Sequence, residues 1–295
     1  MTKLQGIFAA VPTPLTTDAK GIDIPNIAKQ VDRLADAGIH GIVTTGTTGE
    51  FPALTTEEHK SVIKAYIDAA KGRIPVVAGL GSNSTQHAIE MAQFSEKMGA
   101  TAVMIVPPFY DPLSFKALYK FYKDVCGSIS IPVMYYNLPG ATGVHLTADQ
   151  VRQLGEIKGF DYMKDTSGNA KEHADLLTNP SDKITVFNGW DTLTFFSMSH
   201  GAQAIVWGIA SIVPKECVEL WNTFSREKNI DEAREQWKFL WEVSDFLESV
   251  NYPAGIKTGL DIIGQSAGPL RLPTLPLEDE DIEKLSKILE KRKYK

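Results

Sequence analysis

Cysteine is scarce in this 295-residue chain: only Cys126 and Cys217 occur, far apart and each within a stretch of helical periodicity. Two such thiols exclude a disulfide framework and a zinc knuckle, and both read as core residues. Metal ligands are equally sparse. The six histidines, His40, His59, His87, His145, His173 and His200, form no pair at ligand spacing, and there is no carboxylate-rich loop of the calcium type. No metal or other cofactor is expected. Positive charge is not in surplus either: the formal net charge is -6 with acids and bases interleaved, which leaves no basic stripe for nucleic acid and no polybasic membrane anchor. No apolar run approaches the ~18 residues of a membrane helix, and "MTKLQGIFAA" is too short for a signal peptide. The expectation is a soluble, cytoplasmic protein whose partners are small molecules.

What the sequence does have is a regular alternation of two hydrophobic periods. Eight short β-rich runs, "GIFAAVPT", "GIVTTG", "PVVAGLG", "AVMIVPP", "PVMYYNLP", "DYMKDT", "ITVFNG" and "AIVWGI", alternate with eight segments of helical spacing, from "DIPNIAKQVDRLADAG" to "PKECVELWNTFSREK". Eight βα units in order predict a closed (β/α)8 TIM barrel over residues 1–225. The competing doubly wound sheet would carry a phosphate-binding glycine fingerprint after its first strand, and none follows "GIFAAVPTPL". "TTEE" and "TADQ" predict capped helix starts, and Gly38, Gly72 and Gly99 predict left-handed helix ends. Beyond residue 226 the strand signal stops, and residues 226–295 read as a C-terminal helical extension packed on the barrel. Trp221, Trp237 and Trp241 are expected to fill that interface.

Active sites of such barrels lie at the C-terminal ends of the strands. Lys164 in "DYMKDTSGN" sits at one, and it is the lone lysine in the eight strand runs; the others fall where water is expected to solvate them. An edge lysine reaching out of the barrel mouth is one reading. The other is a Schiff-base nucleophile, which must be neutral to attack a carbonyl and therefore needs a desolvating mouth to move it from a reference pKa of ~10.4. The second strand ends in "TTGTTGEF", where glycines flank Thr47 and Thr48. This is either a tight turn or a cradle of hydroxyls and amides for a carboxylate. The fifth strand ends in "MYYNLPGATG"; Tyr135 and Tyr136 must face opposite sides, and a phenol facing inward next to Lys164 can shuttle protons.

"GTTGE", "YYNLPGATG" and "MKDTSG", in that order on an eightfold barrel with extra helices, resemble the pyruvate-dependent class I lyases, the superfamily of dihydrodipicolinate synthase and N-acetylneuraminate lyase. The resemblance spans essentially the whole chain. It implies that Lys164 forms an imine with pyruvate, that Tyr136 is the general acid and base, and that Thr47 and Thr48 hold the pyruvyl carboxylate. It also implies that Tyr110, in "PPFYD", completes a proton relay from a neighbouring subunit of a homotetramer built as a dimer of dimers.

Departures from each member's pattern bear on the second substrate. Dihydrodipicolinate synthases resemble "YNVPSRTG" at the fifth strand, with an arginine for the carboxylate of aspartate semialdehyde; Ala141 stands at that place here. Sialic-acid lyases resemble "NGYDE", whereas this chain has "NGWDT", keeping Asp191 and placing Thr192 at the acid. The resemblance thus leans toward the aldolases of 2-keto-3-deoxy sugar acids, which release pyruvate and an aldehyde. Other readings are N-acetylneuraminate lyase, 4-hydroxy-2-oxoglutarate aldolase, a sugar-acid dehydratase, dihydrodipicolinate synthase, and a non-catalytic barrel that binds a 2-oxo acid. Thr166, Gly189 and Asp191 are expected to meet the aldehyde's hydroxyls, and Val206 to lie near the imine. Asp165 reads equally as a turn cap or a substrate contact, and Trp190 and Trp207 as a wall of the mouth or as packing.

Overall fold

The computed structural model describes residues 3–292. Among them, strands β1 (Gly6–Ala10), β2 (Gly41–Thr44), β3 (Val76–Gly81), β4 (Ala102–Val106), β5 (Val133–Asn137), β6 (Phe160–Asp165), β7 (Thr185–Asn188) and β8 (Ala204–Trp207) close in sequence order into a parallel barrel. Closure is visible at Phe8, which is in register with Gly41 on one side and Val206 on the other. The strands alternate with helices α1 (Ile24–Asp36), α2 (Thr56–Ala70), α3 (Thr85–Met98), α4 (Phe115–Cys126), the single turn α5 (Pro139–Thr142), α6 (Ala148–Leu154), α7 (Ala170–Thr178), α8 (Thr194–Ser199) and α9 (Pro214–Ser225). The fold is therefore a (β/α)8 TIM barrel, and α10 (Ile230–Ser249), α11 (Tyr252–Ile262) and α12 (Asp279–Leu289) form its C-terminal helical extension.

Local signals account for the element ends. Thr55 and Thr147 form reciprocal capping boxes with Glu58 and Gln150, which satisfies backbone donors that the first helical turn leaves orphaned. Gly38, Gly72 and Gly99 all take positive φ. The turn α5 was not legible as a helix; Pro139 at its first position supplies the fixed φ that starts one.

Side-chain alternation along the strands sorts residues into two environments. Met134, Tyr136, Tyr162, Phe187 and Val206 belong to an inner cluster with Phe8, Val43 and Met104, while Val133, Tyr135 and Met163 pack outward against helices. Below the mouth, Phe187 packs against Phe8 and Tyr162 at ring-centroid distances of 5.6 Å each, and the Leu4 N–H donates to the Tyr162 hydroxyl. This aromatic floor fills the barrel, so whatever reacts must do so above it.

The extension shares one core with the barrel: Leu240, Val243, Leu247, Ile256, Leu260 and Leu285 cluster with Ile7, Ala9 and Trp207. Trp237 packs on Phe195 and Trp207, and Trp221 is buried. Trp241 departs from expectation, being 44% exposed. Four residues advance a helix by about 40° beyond a full turn, enough to carry it from the stripe occupied by Trp237 to the rim. Both cysteines are buried. No helix among the described residues is long and apolar enough to cross a membrane.

Candidate active site

The inward phase of β6 places Lys164 above the aromatic floor, in a cavity of about 210 Å³ at the C-terminal ends of the strands. Its side chain is only 7% exposed, which excludes the reading of a lysine reaching out into water. Lys164 is in register with Tyr136 on β5, and its Nζ lies 4.2 Å from the centre of the Tyr136 ring. The Tyr136 hydroxyl in turn lies 3.1 Å from Thr47 Oγ1, a hydrogen bond in which either can donate. The amine thus rests over the face of a phenol ring whose hydroxyl is paired with Thr47, which gathers an amine and two hydroxyl groups in one cavity.

Thr47 and Thr48 both line this cavity, on a turn that is held from several sides. Thr45 and Glu50 adopt left-handed backbone, Thr45 Oγ1 donates to the Gly79 carbonyl, and Thr13 Oγ1 donates to the Gly49 carbonyl. The Glu50 carboxylate faces Lys257 at 2.7 Å and accepts from the Arg271 N–H. Lys257 is 3% exposed, which corrects the expectation that lysines outside the strands are solvated. Burial lowers its pKa, opposed by the Glu50 charge.

The same cavity is lined by Thr166, Gly189, Trp190, Asp191 and Val206, at the ends of β6, β7 and β8. Thr166 Oγ1 donates to the Gly189 carbonyl and the Gly189 N–H donates to the Asp165 carbonyl, tying the two strand ends together. Gly189 has a steric reason to be glycine: a Cβ there would lie 2.5 Å from Lys164 Cε and 2.7 Å from its Cγ. Asp191 is buried and accepts from the Tyr252 hydroxyl. Burial pushes its carboxyl up to about 7, although the Tyr252 hydrogen bond and the Lys164 charge pull the other way.

The structure decides the residues left open by the sequence. Asp165 points outward, accepting from Asn137 Nδ2 (2.8 Å) and the Ser167 N–H (3.1 Å) and meeting His173 Nδ1 at 2.8 Å. Burial would raise its pKa, but these hydrogen bonds and His173 outweigh it and hold the carboxylate low. His173 continues to Ser197, giving an Asp–His–Ser chain that mimics a nucleophilic triad, yet all three residues are buried and Ser197 Oγ donates to the Leu193 carbonyl. This is packing between β6, α7 and α8. Trp190 lines the cavity, whereas Trp207 packs outward on Trp237.

Two expected site residues are not gathered around Lys164 in the single chain. Tyr110 is 89% exposed, its N–H donating to Asn83 Oδ1. Ala141, on α5, lines a neighbouring cavity of about 490 Å³ that shares Thr47, Tyr136 and Leu138 with the first. Conversely, Leu247, Glu248, Val250 and Tyr252 of the extension line the Lys164 cavity, as do Ala10, Leu138 and Gly208 of the barrel. A search confined to strand ends misses the extension residues. The signal available for them was the break "SVNYPAG", a turn between two apolar helical segments.

Comparison with known proteins agrees with this architecture. A sequence profile described as the dihydrodipicolinate synthetase family matches residues 3–292. A 4-hydroxy-tetrahydrodipicolinate synthase of Methanocaldococcus jannaschii is 35% identical over 97% of this chain and 97% of that protein. Among solved structures, dihydrodipicolinate synthase DapA-2 of Bacillus anthracis superposes with a TM-score of 0.94 at 32% identity, over 99% of both chains. A chloride-inhibited dihydrodipicolinate synthase of Acinetobacter baumannii, solved in complex with pyruvate, gives a TM-score of 0.93 at 32% identity, over 98% of both chains.

Proposed function

The chain belongs to the dihydrodipicolinate synthetase family and is a class I, Schiff-base carbon–carbon lyase, and on that premise we propose that Lys164 carries an imine with pyruvate and joins it reversibly to an aldehyde. The observation that carries this reading is the buried Lys164 amine facing the Tyr136–Thr47 pair in one cavity. In it, Lys164 Nζ adds to the carbonyl carbon of pyruvate and water leaves, with the Tyr136 hydroxyl and Thr47 passing the protons. The imine draws electrons from the adjacent methyl carbon. Loss of a proton there gives an enamine that attacks the aldehyde carbon, and the reverse sequence cleaves the same bond. Thr47 and Thr48 hold the carboxylate, with Val206 as apolar filler beside the imine.

For the aldehyde, the relatives' names favour the first reading, a 4-hydroxy-tetrahydrodipicolinate synthase. A specific observation favours a second, the cleavage of 2-keto-3-deoxy sugar acids: Ala141 offers no guanidinium, and no arginine lines either cavity. The same reading includes a cytoplasmic homotetramer in which the exposed Tyr110 serves the site of another copy; its exposure within one chain supports this. The test is to incubate the protein with pyruvate, reduce with borohydride and weigh it. A mass gain of one reduced pyruvate adduct, located at Lys164 and absent from Lys164→Ala, is expected; an equal gain in Lys164→Ala would sink the imine.

A further inference from the structure

The aldehyde end of the cavity has an electrostatic character that the strand motifs do not reveal. Lys164 is the one basic side chain among the lining residues, while two carboxyl groups, Asp191 and Glu248, line the same space. Asp191 is engaged by the Tyr252 hydroxyl. Glu248, near the end of α10, accepts from the Thr192 N–H (2.9 Å) through one oxygen and from Thr192 Oγ1 (2.8 Å) through the other. Each carboxylate oxygen can accept about two hydrogen bonds, so Glu248, which lines the cavity, is not saturated by Thr192. Thr192 thus locks the rotamer of an acid that the extension brings in. Trp190 is held in the same group, its Nε1 donating to Thr192 Oγ1 at 3.1 Å.

We propose that Glu248 is a specificity-determining residue of the Lys164 site: it accepts a hydrogen bond from a donor group on the incoming aldehyde, a hydroxyl or an ammonium. This rests on the lyase reading above. A carboxylate anchor, which would bring another acid beside the Glu248 and Asp191 carboxyl groups with no guanidinium to meet it, is disfavoured at this end. Hydroxyl and ammonium present the same chemistry to Glu248, a polar hydrogen directed at a fixed acceptor, and the charge of the donor is what separates them.

The experiment measures kcat/KM for condensation of pyruvate with glyceraldehyde, with aspartate semialdehyde and with propanal, which carries no donor, in the wild type, Glu248→Leu and the isosteric Glu248→Gln. A hydrogen bond to a charged acceptor corresponds to roughly 10- to 100-fold. In Glu248→Leu the preference for the donor-bearing aldehyde over propanal is expected to fall by that factor. If Glu248→Gln retains the preference the donor is the hydroxyl, and if it loses the preference for aspartate semialdehyde the donor is the ammonium; both outcomes support the assignment. Preferences within twofold of wild type in Glu248→Leu for both donor aldehydes would overturn it. Borohydride trapping of pyruvate on the same preparations keeps the two ideas apart, since wild-type protein that is not trapped refutes the lyase reading, not the role of Glu248.

Discussion

Replacing Gly189 by alanine adds one methyl group at the point where β7 ends beside Lys164. The added carbon would stand 2.5 Å from Lys164 Cε, 2.7 Å from Lys164 Cγ and 2.4 Å from Thr166 Oγ1. Ordinary carbon–carbon contacts lie at about 3.5–4.0 Å, so roughly 1 Å must be found. The backbone cannot supply it without breaking Gly189 N–H to Asp165 and the β6–β7 ladder through Lys164 and Phe187. The lysine side chain must therefore move, and its Cγ is too near the main chain to swing aside freely. A displacement of about 1 Å at a reacting group lowers rates by about 100-fold, while overpacking destabilises by about 1–3 kcal/mol. Gly189→Ala is expected to remain folded by circular dichroism, to be trapped by pyruvate and borohydride far more slowly, and to lose about two orders of magnitude in kcat. Trapping at the wild-type rate with kcat within twofold would mean that Lys164 is not confined against Gly189, and the steric account of this glycine would fail.

Two further changes test the supports around the site. Lys257→Met leaves the Glu50 carboxylate buried without its cation, a change that costs about 3–5 kcal/mol in comparable settings and lowers Tm by on the order of 10 °C. Calorimetry of that variant and of Lys257→Met/Glu50→Gln, which should recover part of the loss, checks it; an unchanged Tm in the single variant refutes a stabilising pair. For Asp191 the folded carboxyl is raised from 3.8 to about 7 by burial, so the folded state keeps a proton that the unfolded chain releases near pH 4. Stability contributed by this group is whole below about pH 4, falls as pH rises to about 7 and is level above, a span of ~4 kcal/mol at most. Asp191→Asn removes the titration, so the wild type should lose Tm relative to the variant between pH 5 and 7; parallel Tm profiles would show that Asp191 does not titrate in that window.

The barrel was legible because its signal is local: the two-residue alternation of each strand and the punctuation of each helix act within a few positions. That same alternation, once the inward phase of β5 and β6 is known, places Tyr136 and Lys164 face to face without further information. Sequence order could not reveal contacts made by docking. Lys257 looks like any helical lysine until α11 brings it against Glu50, and Glu248 looks like a surface acid until α10 lies over the ends of β7 and β8. The division has a chemical counterpart. The quoted motifs supply Thr47, Thr48, Tyr136 and Lys164, the residues proposed to meet the 2-oxo acid. The rest of the lining combines Asp191 and Trp190 with Leu247, Glu248, Val250 and Tyr252, and the last four are set by how the extension packs. The join is tight: a Cβ at Gly208, just after β8, would fall 2.1 Å from the Tyr252 hydroxyl, so that glycine is what lets the phenol reach Asp191. A substitution at Gly208 or on the facing side of α10 can therefore alter the wall formed by Asp191, Glu248 and Tyr252 while the lysine, tyrosine and threonine stay where the strands hold them. On the proposed reading, selectivity for the second substrate is separable from imine formation, because the cavity is built by parts of the chain that meet only after folding.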